Sequence, residues 1–453
     1  MSTPLPQRSA PPGSEPMTPR SRKAARAAFF GFAVDYYDIY LPVVALAPAI
    51  GYFQPPGLSP VAVTTLFYLT FAVTLIGRPV GSIIFGGISD RIGRRRATLI
   101  AVAGFTVSTL LMAALPGYAQ WGYGGIALLL VLRLVGGIFM GGEYTSANPL
   151  ALESCPKAKR GIVGALIAGA YPIGYIAISL VTLPMLALLP RAGADSAYQV
   201  WGWRIPFVVG GLLGVVFFVY FYRSIAESEV WRDKVASADA QQPTPVRRLL
   251  RDKDSRRRLL QALLLMTGLW LAVQSVISPV TGLLISELKQ DANAVTVALL
   301  LANVVLFLGY LYFGHLGQRH GRRRVLMWSG VGTLVISVLA FTAMIGLLRT
   351  GGDFALAMVL YTVALVVAIS PFGVATVYLL EAFPTEVRAS GYGIAYSVSL
   401  VLPSFYSVYM LGLAEFLPYA YTPVVLIVLS GVLTTVGAAI GVETKDVDFA
   451  RSG

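Results

Sequence analysis

The sequence predicts an all-α polytopic membrane protein with twelve transmembrane helices in two pseudo-symmetric six-helix bundles. Three observations predict it. Of 453 residues, 56% are hydrophobic and 13% charged, and the mean hydropathy is +0.71, which leaves too few polar side chains to cover a water-soluble globule. Apolar stretches of about 20 residues, each able to cross ~30 Å of hydrocarbon as a helix, recur along the chain. A motif also returns after 228 residues: Gly86, Asp90, Arg91, Gly93 and Arg94 to Arg96 are echoed by Gly314, Gln318, Arg319, Gly321 and Arg322 to Arg324.

Taken in order, residues 1–27 are rich in Pro, Ser and Arg and lack the apolar core of a cleavable signal, so they read as a disordered cytoplasmic tail. Six spans follow, at about 28–50, 62–88, 97–115, 124–150, 161–187 and 203–222, and make a first bundle over 28–222. Residues 223–259 form a cytoplasmic linker whose arginines, from Arg247 to Arg258, suit anionic headgroups. Spans at about 260–285, 293–316, 325–348, 353–380, 390–414 and 420–442 make a second bundle over 260–442, and 443–453 is a cytoplasmic tail.

Cations crowd alternate junctions: the cluster around Arg94, the loop from Lys157 to Arg160, the linker, and the cluster around Arg322. The positive-inside rule then places both termini and the linker in the cytoplasm, with the chain in the inner (plasma) membrane. The net charge of +13 is thereby a topology signal and calls for no nucleic-acid partner. A single cysteine, Cys155, excludes an internal disulfide and reads as a solvated or lightly buried thiol. No phosphate-cradling loop, metal-ligand cluster or catalytic triad spacing is present, so neither an enzyme nor a cofactor is expected, and the energy must come from a gradient.

The core Gly86-x-x-x-Asp90-Arg91-x-Gly93-Arg94-Arg95 resembles the cytoplasmic signature loop of the major facilitator superfamily, and the preceding Arg78-Pro79-x-Gly81 resembles its metabolite:proton symporters. Gly141-Gly142-Glu143-Tyr144, Trp201-Gly202-Trp203-Arg204-Ile205-Pro206-Phe207 and Glu381-x-Phe383-Pro384-Thr385-x-x-Arg388 are similar to the same family. Leu152-Glu153-Ser154-Cys155-Pro156 ahead of Arg160 repeats at the 228-residue offset as Leu380-Glu381-Ala382-Phe383-Pro384 ahead of Arg388. The resemblance implies that a small carboxylate enters with protons by alternating access, the substrate being an organic anion or a zwitterion, and the chain is expected to be a monomer. The first helix reads Asp35-Tyr36-Tyr37-Asp38 where that family usually has Glu-Trp-Tyr-Asp, and Gly136 stands where a Gln is common. Substrate identity is therefore open, and phosphate symport, proton-coupled export and a non-transporting ligand sensor are the alternatives.

Five charged residues fall inside the predicted spans away from their extreme ends, each costing ~3 kcal/mol unless it faces protein or water. A rise of ~1.5 Å per residue puts Asp38 near the midplane, Arg133 ~6 Å to its outer side, and Asp35, Arg78 and Glu143 ~5–9 Å toward the cytoplasm. The resemblance makes Asp38 and Arg133 a proton-coupling pair, with Arg133 also meeting substrate. Asp35 and Glu143 are further proton-carrier candidates, because Asp35 shares a helix face with Asp38 and two adjacent acids resist joint ionisation. Hydroxyl and amide groups of Tyr37, Tyr40, Tyr144, Gln274, Asn303 and Tyr396 are candidates to orient a polar ligand. Gating is expected from Arg78, Gly86, Asp90, Arg91, Gly93, Arg94, Glu153, Glu381 and Arg388. The resemblance implies that Asp90 latches the second helix to the eleventh, while Gln318 leaves the second copy without that acid. Trp201 and Trp203 read as interfacial belt residues. Gly77 with Gly81, and Gly137 with Gly141, are spaced to let helix backbones approach.

Overall fold

The computed structural model describes residues 16–55, 57, 60–190, 196–227, 245–384 and 387–447, and no strand occurs among them. Eleven helical segments are long and apolar enough to cross a bilayer: α1 (Pro19–Leu46), α3 (Arg94–Ala113), α4 (Tyr123–Glu153), α5 (Lys157–Leu188), α6 (Tyr198–Ser224), α7 (Lys253–Ile285), α8 (Ala294–His320), α9 (Arg322–Arg349), α10 (Phe354–Ala382), α11 (Arg388–Leu413) and α12 (Tyr419–Ala439). The 33-residue helix α2 (Pro60–Ile92), with its apolar stretch Val73–Ser89, makes the twelfth. Large apolar side chains such as Leu212, Leu301 and Leu339 point outward, as hydrocarbon-facing residues do, and small residues mediate the internal crossings.

Polar caps set several helix starts, and they move the expected boundaries. Thr18 caps α1 by accepting a hydrogen bond from Ser21 N at 3.1 Å, with Pro19 in the first turn, so residues 19–27 are helical and do not form a tail. Asp252 caps α7 through Ser255 N at 2.8 Å, and that helix begins seven residues before the apolar run. A short helix, Pro245–Arg251, precedes it in the linker. Apolar composition reports the hydrocarbon thickness, whereas the hydrogen-bonded helix runs on into the polar layer until a cap ends it.

Within the first half, α2 and α4 cross at backbone distance. A side chain on Gly141 would strike the Arg78 carbonyl, and one on Gly137 the Thr74 carbonyl. In the second half, Gly268 and Gly437 play the same part between α7 and α12. Trp203 corrects the belt expectation: it is fully buried, its Nε1 donates to Gln199 O at 3.0 Å, and its ring packs 5.4 Å from both Phe53 and Phe207. Trp201 is 67% exposed.

The α2–α3 and α8–α9 turns lie at one end of the molecule, called here the basic end. Both turns use a glycine that an L side chain could not replace without strain, Gly93 at φ 99° and Gly321 at φ 100°. α2 packs on α11, and α5 packs on α8 and α10. The two halves are thus joined around a central space.

Candidate functional site

Aromatic side chains from both halves enclose that space. Tyr40, Tyr171 and Tyr175 of the first half have ring centroids 5.3–5.7 Å apart along the pairs that Tyr40 makes. Facing them are Gln274 and Ile277 of α7, Asn303 of α8 and Tyr361 of α10. Two adjoining lobes hold about 60 and 30 Å³, room for a few waters. A metabolite enters only if the facing helices part. Two buried polar atoms on the wall lack a protein partner among the described residues, Gln274 Nε2 and Asn303 Oδ1. Arg78 is the one cation among the described lining residues. Of the six proposed ligand-orienting residues, Tyr40, Gln274 and Asn303 line the cavity. Tyr37 does not: its hydroxyl donates to Pro206 O at 3.0 Å, which fixes α1 to α6.

Below the cavity, toward the basic end, hydroxyl bridges join the halves. Tyr36 and Tyr396 hydroxyls are 3.3 Å apart, the Tyr144 hydroxyl meets Ser397 Oγ, and Asn148 Nδ2 donates to the Tyr392 hydroxyl at 2.6 Å. Trp270 Nε1 donates to Tyr396 O at 2.7 Å, which holds this floor to α7. Tyr144 and Tyr396 are therefore in the barrier beneath the cavity and absent from its wall.

The inner charged layer lies on the first-half side of this floor. Asp35, Arg78 and Glu143 are 2%, 3% and 0% exposed. The Arg78 guanidinium carbon sits 5.0 Å from the Tyr144 ring centre, a cation–π placement. Asp35 and Glu143 lie against each other, both within the field of Arg78. None of their four carboxylate oxygens has a hydrogen-bond donor among the described residues. Two acceptor-only groups in contact become bonded when one carries a proton. Gly31 makes room for this arrangement, since a side chain there would strike Glu143 Oε1.

The midplane pair forms, but it faces away from the cavity. Arg133 NH1 is 3.4 Å from Asp38 Oδ2 and donates to the Asp38 carbonyl at 3.3 Å, while Thr109 of α3 donates to Asp38 Oδ1. Both residues are buried, and neither lines either lobe of the cavity. Arg133 consequently has no line to a ligand in this conformation, contrary to the expectation that it meets substrate.

At the basic end the 228-residue repeat becomes a charged gate. Glu153 is 3.5 Å from Arg94 of its own half and 3.4 Å from Arg388 of the other. Its repeat mate Glu381 is 3.4 Å from Arg322 of its own half and 3.9 Å from Arg160 of the other. Each acid therefore binds one arginine at home and one across the divide. Gly86 lies here too, where an added Cβ would sit 3.6 Å from Ser390 Oγ of α11. Arg91 is exposed and outside this network, and the Asp90 side chain lies outside the described residues. Gln318, expected to weaken the second copy, ties the halves without charge: its Oε1 accepts from Gly161 N at 3.1 Å and its Nε2 donates to Lys157 O. Cys155 is buried beside this gate, deeper than the solvated or lightly buried thiol expected, and burial pushes its thiol up to about 11.

Two gate residues were absent from the sequence reading. Glu227 accepts from Arg94 N at 2.9 Å and Arg95 N at 3.2 Å, and Glu443 accepts from Arg322 N at 2.7 Å, so each carboxylate caps the helix after a signature turn. The available signal is positional, because each is the first acid after the last span of its half.

Two related helical halves, a central cavity, ionisable groups buried beside it and a charged gate at one end are the arrangement of a membrane transporter. Residues 28–399 match the model of the Major Facilitator Superfamily, and the chain belongs to that superfamily. It is a membrane transporter and not an enzyme. Among its relatives are the inner membrane metabolite transport protein YhjE of Escherichia coli (29% identical over 382 residues, 84% of each chain) and the shikimate transporter of the same organism (29%, covering 84% of this chain and 85% of that one). The proline/betaine transporter of Escherichia coli is 27% identical, covering 84% and 75%. The proton:xylose symporter XylE, solved with 6-bromo-6-deoxy-D-glucose, shares the fold at a TM-score of 0.71 and 19% identity, covering 94% and 96%.

Proposed function

We propose that the protein is a proton-coupled symporter that takes up a small carboxylate across the inner membrane, with the basic end and both termini cytoplasmic. The observation that carries this reading is the contact between Asp35 and Glu143 beside Arg78, the cation on the cavity wall. With both acids ionised the three groups sum to one negative charge, and a substrate carboxylate approaching Arg78 is repelled. One proton shared by the acids makes the trio neutral and frees the guanidinium to bind the carboxylate. Substrate and proton then favour each other's binding by the same factor. A bound carboxylate also competes for Arg78, which weakens its hold on the Tyr144 ring and on the floor that Tyr144 builds with Ser397. Parting of the floor and then of the Glu153 and Glu381 bridges would open the basic end, and the acids would release their proton there.

The relatives fit this chemistry, since shikimate, proline and betaine all present a carboxylate. The positive-inside count supports the orientation. Reporters fused within residues 1–15, 228–244 and after 447 are all expected on the cytoplasmic side, and a periplasmic signal from any one overturns the topology.

Purified protein in liposomes, with an inside-alkaline pH gradient and a panel of labelled organic acids, zwitterions, sugars and phosphate, tests the function. Accumulation of one carboxylate, abolished by a protonophore, is the expected result. Gradient-driven efflux, or accumulation of only a carboxylate-free compound, overturns it.

A further inference from the structure

Residues 443–447, expected to belong to a cytoplasmic tail, cross the divide between the halves. Glu443 and Thr444 hold the segment to the second half. Glu443 caps α9 through Arg322 N, and Thr444, 1% exposed, donates from Oγ1 to Glu381 Oε2 at 2.9 Å. Lys445 Nζ adds a bond to Arg319 O at 2.9 Å. The next two residues bind the first half. Lys157 Nζ donates to Asp446 O at 2.7 Å, and Arg160 NH1 donates to Val447 O at 3.0 Å. A turn from Val447 N to Thr444 O, 3.0 Å, presents both carbonyls.

We propose that this segment is a clasp that holds the basic end shut and must leave Lys157 and Arg160 for that end to open. The inference rests on the alternating-access reading above. Thr444 acts as a positioning residue. Its hydroxyl fixes Glu381, the acid that reaches across to Arg160, so the same five residues set both the buried bridge and the carbonyl bonds beside it. Strength resides in the buried part. The Lys157–Asp446 ion pair, at 3.5 Å with side chains 42% and 89% exposed, is screened by solvent and adds little. The charged Arg160 donor on the Val447 carbonyl at 3.0 Å, next to a buried carboxylate, is the stronger contact. A clasp built mainly on carbonyls also tolerates many side chains, which is why composition alone reads it as a tail.

Cys155 is a native reporter, because it is 3% exposed in the loop that carries Lys157. Alkylation of the full-length protein in detergent by N-ethylmaleimide is measured for wild type, Thr444→Val and Thr444→Ser. Thr444→Val is expected to speed labelling three- to tenfold at unchanged melting temperature, and Thr444→Ser to restore the slow rate. Equal rates in all three overturn the clasp, as does faster labelling that comes only with a fallen melting temperature. A second measurement locks the clasp. In a Cys155→Ser background, Lys157→Cys with Asp446→Cys is bridged by a short, reducible bis-thiosulfonate. Transport is expected to stop and to return on reduction, and undiminished transport by the bridged carrier overturns the proposal. The labelling assay needs neither substrate nor gradient. A failed clasp therefore shows as unchanged Cys155 reactivity, whereas a failed symport reading shows as liposomes that accumulate nothing while the Cys155 result stands.

Discussion

Asp35→Asn is expected to reduce gradient-driven accumulation at least about tenfold while leaving exchange of labelled for unlabelled substrate within about threefold of wild type, a difference in response of at least about 0.7 kcal/mol. The amide keeps the size of the carboxylate and removes its titration. With Asn at 35, Arg78 faces one acid instead of two, so the trio no longer needs a proton to be neutral. The carrier binds substrate and reorients, but no proton need accompany it, and the pH dependence of uptake flattens. Glu143→Gln should do the same, because the proton belongs to the pair. The double variant should then accumulate no less than either single, a non-additivity that marks groups acting as a unit. Accumulation that survives in both single variants would remove this pair from coupling.

The two charged layers were legible in the sequence because charge inside an apolar run is conspicuous and helical rise converts position into depth. Counting separated Asp38 and Arg133 from Asp35, Arg78 and Glu143, and the structure brings together those two sets. Counting along an axis says nothing of azimuth. Asp38 and Arg133 turn toward Thr109 of α3, and Arg78 turns to the cavity wall, so the wall cation and the inward pair exchange places relative to expectation. Tyr37 fails for the same reason, one position from Tyr36 on a helix and about 100° around it. The gate was legible as a repeat: Arg94 and Arg322, Glu153 and Glu381, Arg160 and Arg388 are each 228 residues apart. The exchange of partners across the halves depends on packing between bundles, which no local pattern encodes. Thr444 and the carbonyls of Asp446 and Val447 were invisible, because backbone acceptors carry no residue signature.

Asp38→Asn is expected to act on folding, at ~3–5 kcal/mol, where Asp35→Asn acts on coupling. Arg133 is 1% exposed, its Nε and NH2 have no hydrogen-bond partner among the described residues, and its NH1 donates only to the carbonyl and carboxylate of Asp38 among them. Removing the carboxylate keeps the carbonyl contact but strands a cation in a low-dielectric interior, where an unpaired charge costs far more than the pair contributes. Protein yield, melting temperature, ligand binding and exchange should therefore fall together. Removing both charges, Asp38→Asn with Arg133→Gln, should recover part of the loss, since two neutral amides of similar volume can bond each other and Thr109. A charge pair that only braces α1 against α3 and α4 predicts this partial rescue of yield together with recovery of gradient-driven accumulation. A folded Asp38→Asn carrier that exchanges substrate but cannot accumulate it would show the opposite assignment: Asp38 would carry the proton, and the Asp35–Glu143 contact would be the brace.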